Sequence, residues 1–316
     1  MKRRDITWPL ACAVAITAGV SRHSSAAGTI AAEFLRFPIG AIAGMSSAGG
    51  ATVQDATALY WNPSGLAALE SADVYMSHTS LPLTLRHDSA AAALPLHLGN
   101  HAGVVGYALQ ALTQNPLTRI DNQGNTTGSY SSLDMAHTLG WAAQWDDFRL
   151  GFSARYVRQS LDDVSGSAIA GNLGAQKAFG TRWDLGLAFM NFGQDLKLGS
   201  QKTALPRTER AGVSCHLLNR DLVVAGDVSH VQSIGARGHV GVQYRLYPAR
   251  TDASEGAQRP GLSVRAGYTI GKRPDDAYSG AAWGMTLALK SLRMDFSYQP
   301  YGDLGTSLQF GLGYKF

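Results

Sequence analysis

From residue 72 to the C terminus the chain alternates apolar and polar residues in runs of about ten residues or more. In GTSLQFGLGYKF, residues 305 to 316, Leu308, Phe310, Leu312, Tyr314 and Phe316 share one face, and Gln309, Gly311, Gly313 and Lys315 the other. Leu292, Met294, Phe296 and Tyr298 alternate with Arg293, Asp295, Ser297 and Gln299, and Val240, Val242, Tyr244 and Leu246 with His239, Gly241, Gln243 and Arg245. A period of two is the signature of a strand whose faces meet different media. Soluble strands are usually about five or six residues long, whereas about ten residues, tilted, cross a bilayer. The polar faces carry Arg155, Asp184, Arg245, Arg265, Arg293 and Asp295 opposite uniformly apolar ones, as in a barrel with a polar lumen inside lipid. The expected fold is therefore all-β: a transmembrane antiparallel β-barrel over residues 71–316, about 14 strands, with 12 to 16 left open.

The connections agree. Short turns near residues 98–100, 145–147, 179–181, 218–220 and 290–291 alternate with longer segments such as 113–131 and 195–205. That is the asymmetry of an outer-membrane barrel with both termini in the periplasm. The stretch ARTDASEGAQR, 249 to 259, breaks the pattern: it is either a long periplasmic loop or a sign that a hairpin is missing. Trp145, Trp183, Tyr247 and Tyr301 fall near strand ends, where an aromatic girdle would lie. The last strand, closing on Phe316, resembles the assembly signal of bacterial outer-membrane barrels.

The first residues place the chain. Lys2, Arg3 and Arg4 precede the short apolar run ITWPLACAVAITAGV and the small residues Ser25-Ala26-Ala27, the layout of a cleaved signal peptide over residues 1–27. The formal net charge of +4 belongs largely to this segment, so it implies no nucleic-acid partner. Cys215 is then the only cysteine of the mature chain, expected on the lipid face.

Residues 28–70 show neither period. They are rich in Gly and Ala and weakly charged, suited to a compact plug in a lumen too wide for strand side chains to fill. Within them DATALYWNPSGLAAL, 55 to 69, reads as a short helix capped by Asp55, then a turn at Asn62-Pro63-Ser64-Gly65, then an apolar hook. The residue before a proline is pushed to an extended conformation, which ends the helix at Trp61.

The segment EFLRFPIGAIAGMSSAGGATVQDATALYWNPSGLAAL, 33 to 69, resembles the N-terminal signature of the PorV/PorQ family, itself similar to FadL-type outer-membrane transporters of hydrophobic compounds. It departs from that signature at Ser64, where the family has Ala, and at Ile42, where the family has Arg. The resemblance implies one of two functions. In the first, a hydrophobic small molecule is taken up past a gating plug, with Phe34, Leu35, Leu59, Tyr60 and Trp61 as candidate ligand-binding residues and Gly103 and Gly106 as a strand kink. In the second, the barrel is an accessory of the type IX secretion system, and its outer loops bind secretion-system proteins. A plain porin is a weaker third reading. In every case the immediate partner is outer-membrane lipid.

Enzymatic motifs are absent: there is no GxSxG, HExxH or GxxxxGK[ST]. The nine histidines pair with no Cys or carboxylate at metal-ligand spacing, so no catalytic residue, metal or cofactor is expected. His216 and His239 fall on the lumen side as solvated residues. A barrel phospholipase would need a Ser–His pair across adjacent strands, which sequence alone leaves open.

Overall fold

The computed structural model describes residues 30–98, 101–247, 250–251, 258–271, 280–301 and 305–316. The signal peptide expected at 1–27 lies outside them. Fourteen antiparallel strands close into one barrel: β1 (Asp73–Ser80), β2 (Leu85–Leu98), β3 (His101–Gln114), β4 (Ser132–Trp145), β5 (Phe148–Leu161), β6 (Val164–Phe179) and β7 (Trp183–Gly193). The second half is β8 (Thr208–Leu217), β9 (Leu222–Val231), β10 (Gly235–Tyr247), β11 (Gly261–Ile270), β12 (Gly280–Leu289), β13 (Leu292–Pro300) and β14 (Thr306–Lys315). Each strand pairs with its neighbour in sequence, and β1 pairs with β14 from Asp73↔Lys315 to Ser80↔Leu308. The N–H of Phe316 bonds the carbonyl of Ala72 at 2.9 Å, so both ends of the barrel sequence meet at one rim. No edge is left open, as a sheet in hydrocarbon requires.

The alternation divides the strands as the sequence implies. Leu139, Phe152, Ile169, Leu187 and Phe310 face outward and are exposed, while Thr138, Ser153, Arg155, Gln176 and Asp227 face inward and are buried. Among the described residues no helix is long and apolar enough to cross a membrane. Trp145, Phe148, Phe179, Trp183 and Tyr247 stand exposed around the rim that holds the termini, an aromatic belt at one interface. Tyr301 does not join it: at the opposite rim its ring is buried, 6% exposed.

The connections settle one alternative and correct two expectations. The stretch after β10, left open as a loop or a missing hairpin, carries at the terminal rim the small ladder of Arg250–Thr251 with Gln258–Arg259, which lies outside the barrel and adds no strand to its fourteen. At the other rim, 113–131 contains a hairpin of Leu117–Ile120 and Thr126–Tyr130. The segment 195–205 likewise holds Leu196–Leu198 paired with Gln201–Thr203. That second hairpin turns inward rather than standing free: Leu196 and Leu205 are buried with Phe34, Ala136, Val157 and Ala168, and the Ala31 N–H donates to Ala204 O at 2.8 Å. Its alternating Leu196 and Leu198 read as loop residues because three-residue strands are too short to show a period.

Candidate functional site

Residues 30–70 lie inside the barrel. Their backbone forms only short turns of 3₁₀ helix, Glu33–Arg36, Ala41–Met45, Gly50–Thr52 and Pro63–Ala68, with one α-helical turn, Ala58–Trp61. Such a chain leaves many backbone groups unpaired, and buried ones must find partners. Inward strand residues supply them on all sides. Asp227 of β9 accepts from the N–H groups of Gly49 (3.1 Å) and Ala51 (2.9 Å), and Arg210 of β8 completes the set, bonding Asp227 at 3.0 Å and Ser47 O at 3.1 Å. Gln176 of β6 donates to Ala51 O and Val53 O, and Arg155 of β5 to Leu59 O. Thr269 of β11 donates to Ser46 O, which also lies 2.9 Å from His239 Nδ1. His239 is thus a buried anchor of the segment and not a solvated lumen residue. Arg293 of β13 pairs with Asp55 at 3.2 Å.

The turn motif is the best-bonded part. The helix ends at Trp61, and Asn62 is extended at φ −160°, ψ 102°. Its Oδ1 accepts from Ser64 N and Oγ, and its Nδ2 donates to Ala51 O at 2.6 Å. The Gly65 N–H closes the turn on Asn62 O at 3.0 Å. Asp55 stands two residues ahead of the N-cap, which is Thr57. Its carboxylate accepts from Thr57 N and Oγ1 and meets Arg293, so it braces the helix start rather than capping it.

Close approach explains the glycines of the inner wall. A Cβ on Gly186 of β7 would sit 1.9 Å from Ala51 O, one on Gly174 of β6 1.9 Å from Asn62 Oδ1, and one on Gly267 of β11 2.1 Å from Met45 O. The segment therefore lies backbone against backbone on the wall. Of the two expected kink glycines, only Gly106 acts in this way, making room for Leu59 and Leu66; Gly103 lies on the outward face and makes room for the Trp141 indole of β4. The pairing of β2 with β3 runs without a shift through both. Irregularities in the wall lie elsewhere: between β10 and β11 at Arg245/Tyr247, and between β6 and β7, where the register slips between Gly171 and Leu173 and Asn191 adopts φ 63°. Such a β-bulge re-aims a side chain, here toward Arg155 Nη1 at 2.6 Å and Pro206 O at 3.0 Å.

The five apolar candidates separate into two places. Phe34 is sealed under the 195–205 hairpin, and Leu59 is sealed against β3 and β4; both are fully buried. Leu35, Tyr60 and Trp61 line a cavity of about 70 Å³ at the rim opposite the termini. The Tyr60 hydroxyl donates to Ala90 O (2.5 Å) and Leu109 O (3.0 Å), and burial holds its phenol above the ordinary tyrosine range. The Trp61 Nε1–H donates to Ile39 O at 2.9 Å, and the Arg210 guanidinium lies 5.0 Å from its ring centroid, within reach of a cation–π contact. The rest of the lining is mixed: Arg36, Asn191, Arg210, Arg237 and His239 are polar, and Pro38, Met190 and Val231 apolar. Sequence reasoning missed the polar ones because each is an ordinary member of a polar strand face. An engineered apolar cavity that holds benzene measures about 150 Å³, roughly twice the space beside Trp61 while the segment is seated. Among the described residues no cluster of His, Cys, Asp or Glu could hold a metal ion.

No protein-family model matches the chain, and no curated protein sequence does. Solved structures match in fold. The toluene transporter TbuX of Ralstonia pickettii aligns with TM-score 0.60 and 14% identity over 89% of this chain and 99% of its own. A TodX mutant, a monoaromatic hydrocarbon channel, aligns with TM-score 0.58 and 12% identity over 88% and 98%. A FadL homologue of Pseudomonas aeruginosa aligns with TM-score 0.56 and 9% identity over 87% and 97%. At these identities the likeness is one of fold, that of FadL-type barrels, and it gives the finer resemblance to the PorV/PorQ family no support of its own.

Proposed function

We propose that this chain is an outer-membrane channel for hydrophobic compounds and that residues 30–70 are its plug, closing the lumen until they shift. The observation that carries the proposal is the seat of the segment. It is held by hydrogen bonds from β5, β6, β8, β9, β11 and β13, and the space it leaves beside Trp61 is about half that of a cavity that holds benzene. Two of the structural neighbours are a toluene transporter and a monoaromatic hydrocarbon channel, which supports the same class of solute here. In this reading the rim with the termini and the short turns faces the periplasm, residues 1–27 direct export, and a solute enters at the rim of Trp61. The secretion-accessory reading, which would use the outer loops 113–131 and 195–205, has less behind it: the second of them packs on Phe34 through Leu196 and Leu205, and only the 113–131 hairpin stands exposed.

The test is uptake of radiolabelled toluene by Gram-negative cells lacking their own channel for it. Expression of the protein should raise uptake, and removal of residues 30–70 should raise it further or abolish its saturation. Uptake equal to that of empty cells for both forms would refute the channel.

A further inference from the structure

The outward face of β1 carries three residues that the transport reading does not use. Met76, His78 and Ser80 point out from the barrel, while Tyr75, Ser77 and Thr79 point in and are buried. His78 Nδ1 lies 2.6 Å from Asp88 Oδ1 on β2, and His78 Nε2 lies 3.4 Å from Ser80 Oγ. A carboxylate can only accept, so the proton of the neutral ring sits on Nδ1 and the Nε2 lone pair faces the hydroxyl. That is the order of parts in an activated serine: nucleophile, general base, and a group that fixes the tautomer of the base.

Strand register supplies the surroundings. Ser80 is paired with Arg86 on β2 and with Leu308 on β14, and His78 with Asp88 and Phe310. Arg86 is exposed on the same face and has no ion-pair partner among the described residues. Met76 and Phe310, 59% and 58% exposed, extend the face as an apolar surface toward the middle of the barrel. Ser80 ends β1 at the rim opposite the termini, so water reaches the site from one side and lipid chains from the other.

We propose that Ser80, His78 and Asp88 form a serine esterase site on the membrane-facing wall, acting on carboxylic esters with an apolar acyl chain. The acyl chain lies over Phe310 and Met76, and the ester carbonyl meets Ser80. Ser80 Oγ attacks the carbonyl carbon and its proton passes to His78 Nε2, while Arg86 faces the oxygen on which negative charge develops. The carbon–oxygen bond to the alcohol then breaks, and His78 returns the proton to the leaving alcohol. Water adds to the acyl-Ser80 through the same base, releasing the carboxylic acid and restoring the hydroxyl. Ser80 and His78 are the catalytic residues; Asp88 is a positioning residue.

The test uses the full-length mature protein in detergent with p-nitrophenyl octanoate, and in vesicles of dioleoylphosphatidylcholine, which separates a free ester from a membrane lipid. A fluorophosphonate probe followed by peptide mass spectrometry locates the nucleophile. Hydrolysis in either arm, with the probe on Ser80, supports the site, and the arm that responds names the source of the ester. Ser80→Ala and His78→Ala should lower turnover by about a thousandfold or more, and Asp88→Asn should lower kcat with KM unchanged. These side chains are exposed, so heat-modifiable migration reports that each variant remains a barrel. Turnover in both arms equal to that of Ser80→Ala, with no adduct on Ser80, overturns the proposal. The channel reading is untouched by that result, because toluene uptake involves none of the three.

Discussion

Replacing Asn62 with Ala should loosen the plug while leaving the barrel closed. Asn62 is fully buried, and its amide makes contacts that Ala cannot. The N-cap bond to the Ser64 N–H is worth about 1 kcal/mol. The Ser64 hydroxyl, 2.7 Å from Oδ1, is left without its acceptor, at a cost of about 1–3 kcal/mol for a buried group. Ala51 O loses less, because Gln176 still donates to it at 3.1 Å. Together these weaken the seat by about 3 kcal/mol, and at about 1.4 kcal/mol per decade the opening equilibrium rises roughly a hundredfold. Hydrogen exchange with mass spectrometry on the protein in nanodiscs reads this directly, since local opening sets the exchange of protected amides. Peptides spanning residues 49–66 should exchange about a hundredfold faster than in the wild type, with peptides from β4 and β5 unchanged. If residues 49–66 exchange at the wild-type rate, or if the strands accelerate equally, the amide does not hold the plug and the reasoning fails.

Other substitutions probe the same seat from the wall. Asp227→Ala leaves Arg210 and two backbone N–H groups without their acceptor; breaking such a buried pair costs about 3–5 kcal/mol, and single-channel recordings should show frequent openings. Gly186→Val places side-chain atoms where Ala51 O now lies, so it should displace residues 49–53 and expose them to proteases without changing the barrel's migration on a gel. Trp61→Ala enlarges the space beside Leu35 and should increase toluene uptake; equal uptake would show that the indole does not limit passage. Because burial holds the folded Tyr60 phenol above the ordinary tyrosine range of about 10, its contribution is complete below that range and fades as pH rises beyond it. Plug exchange measured above pH 10 should accelerate more in the wild type than in Tyr60→Phe.

The barrel was legible because a strand between lipid and a polar interior must alternate for its full length, and nothing else in the chain competes with that period. Phe310, Leu312 and Tyr314 show it without ambiguity. The turn at Asn62 was equally readable, since proline chemistry is local. What failed were features set by distant partners. Gly174 and Gly186 look like filler on a polar face until Asn62 and Ala51 arrive against them from elsewhere in the sequence. Asp55 sits where a cap is expected, but Arg293 lies 238 residues away. Ser80 and His78 are adjacent on one face by sequence alone, yet Asp88 joins them only through the pairing of β1 with β2.

The distances along the chain also set a timetable. Asp227, Thr269 and Arg293 reach back to Ala51, Ser46 and Asp55 across 176, 223 and 238 residues. Contacts of such span form slowly, because the intervening chain must be ordered first. The segment leaves the ribosome before any strand, yet its seat is complete only when β14 has joined β1. The side of the segment that Arg293 holds therefore stays unanchored until the last strands are in place. How fast residues 30–70 settle once those strands arrive, rather than how strongly they are held at the end, sets how long the lumen of a newly closed barrel stays unfilled.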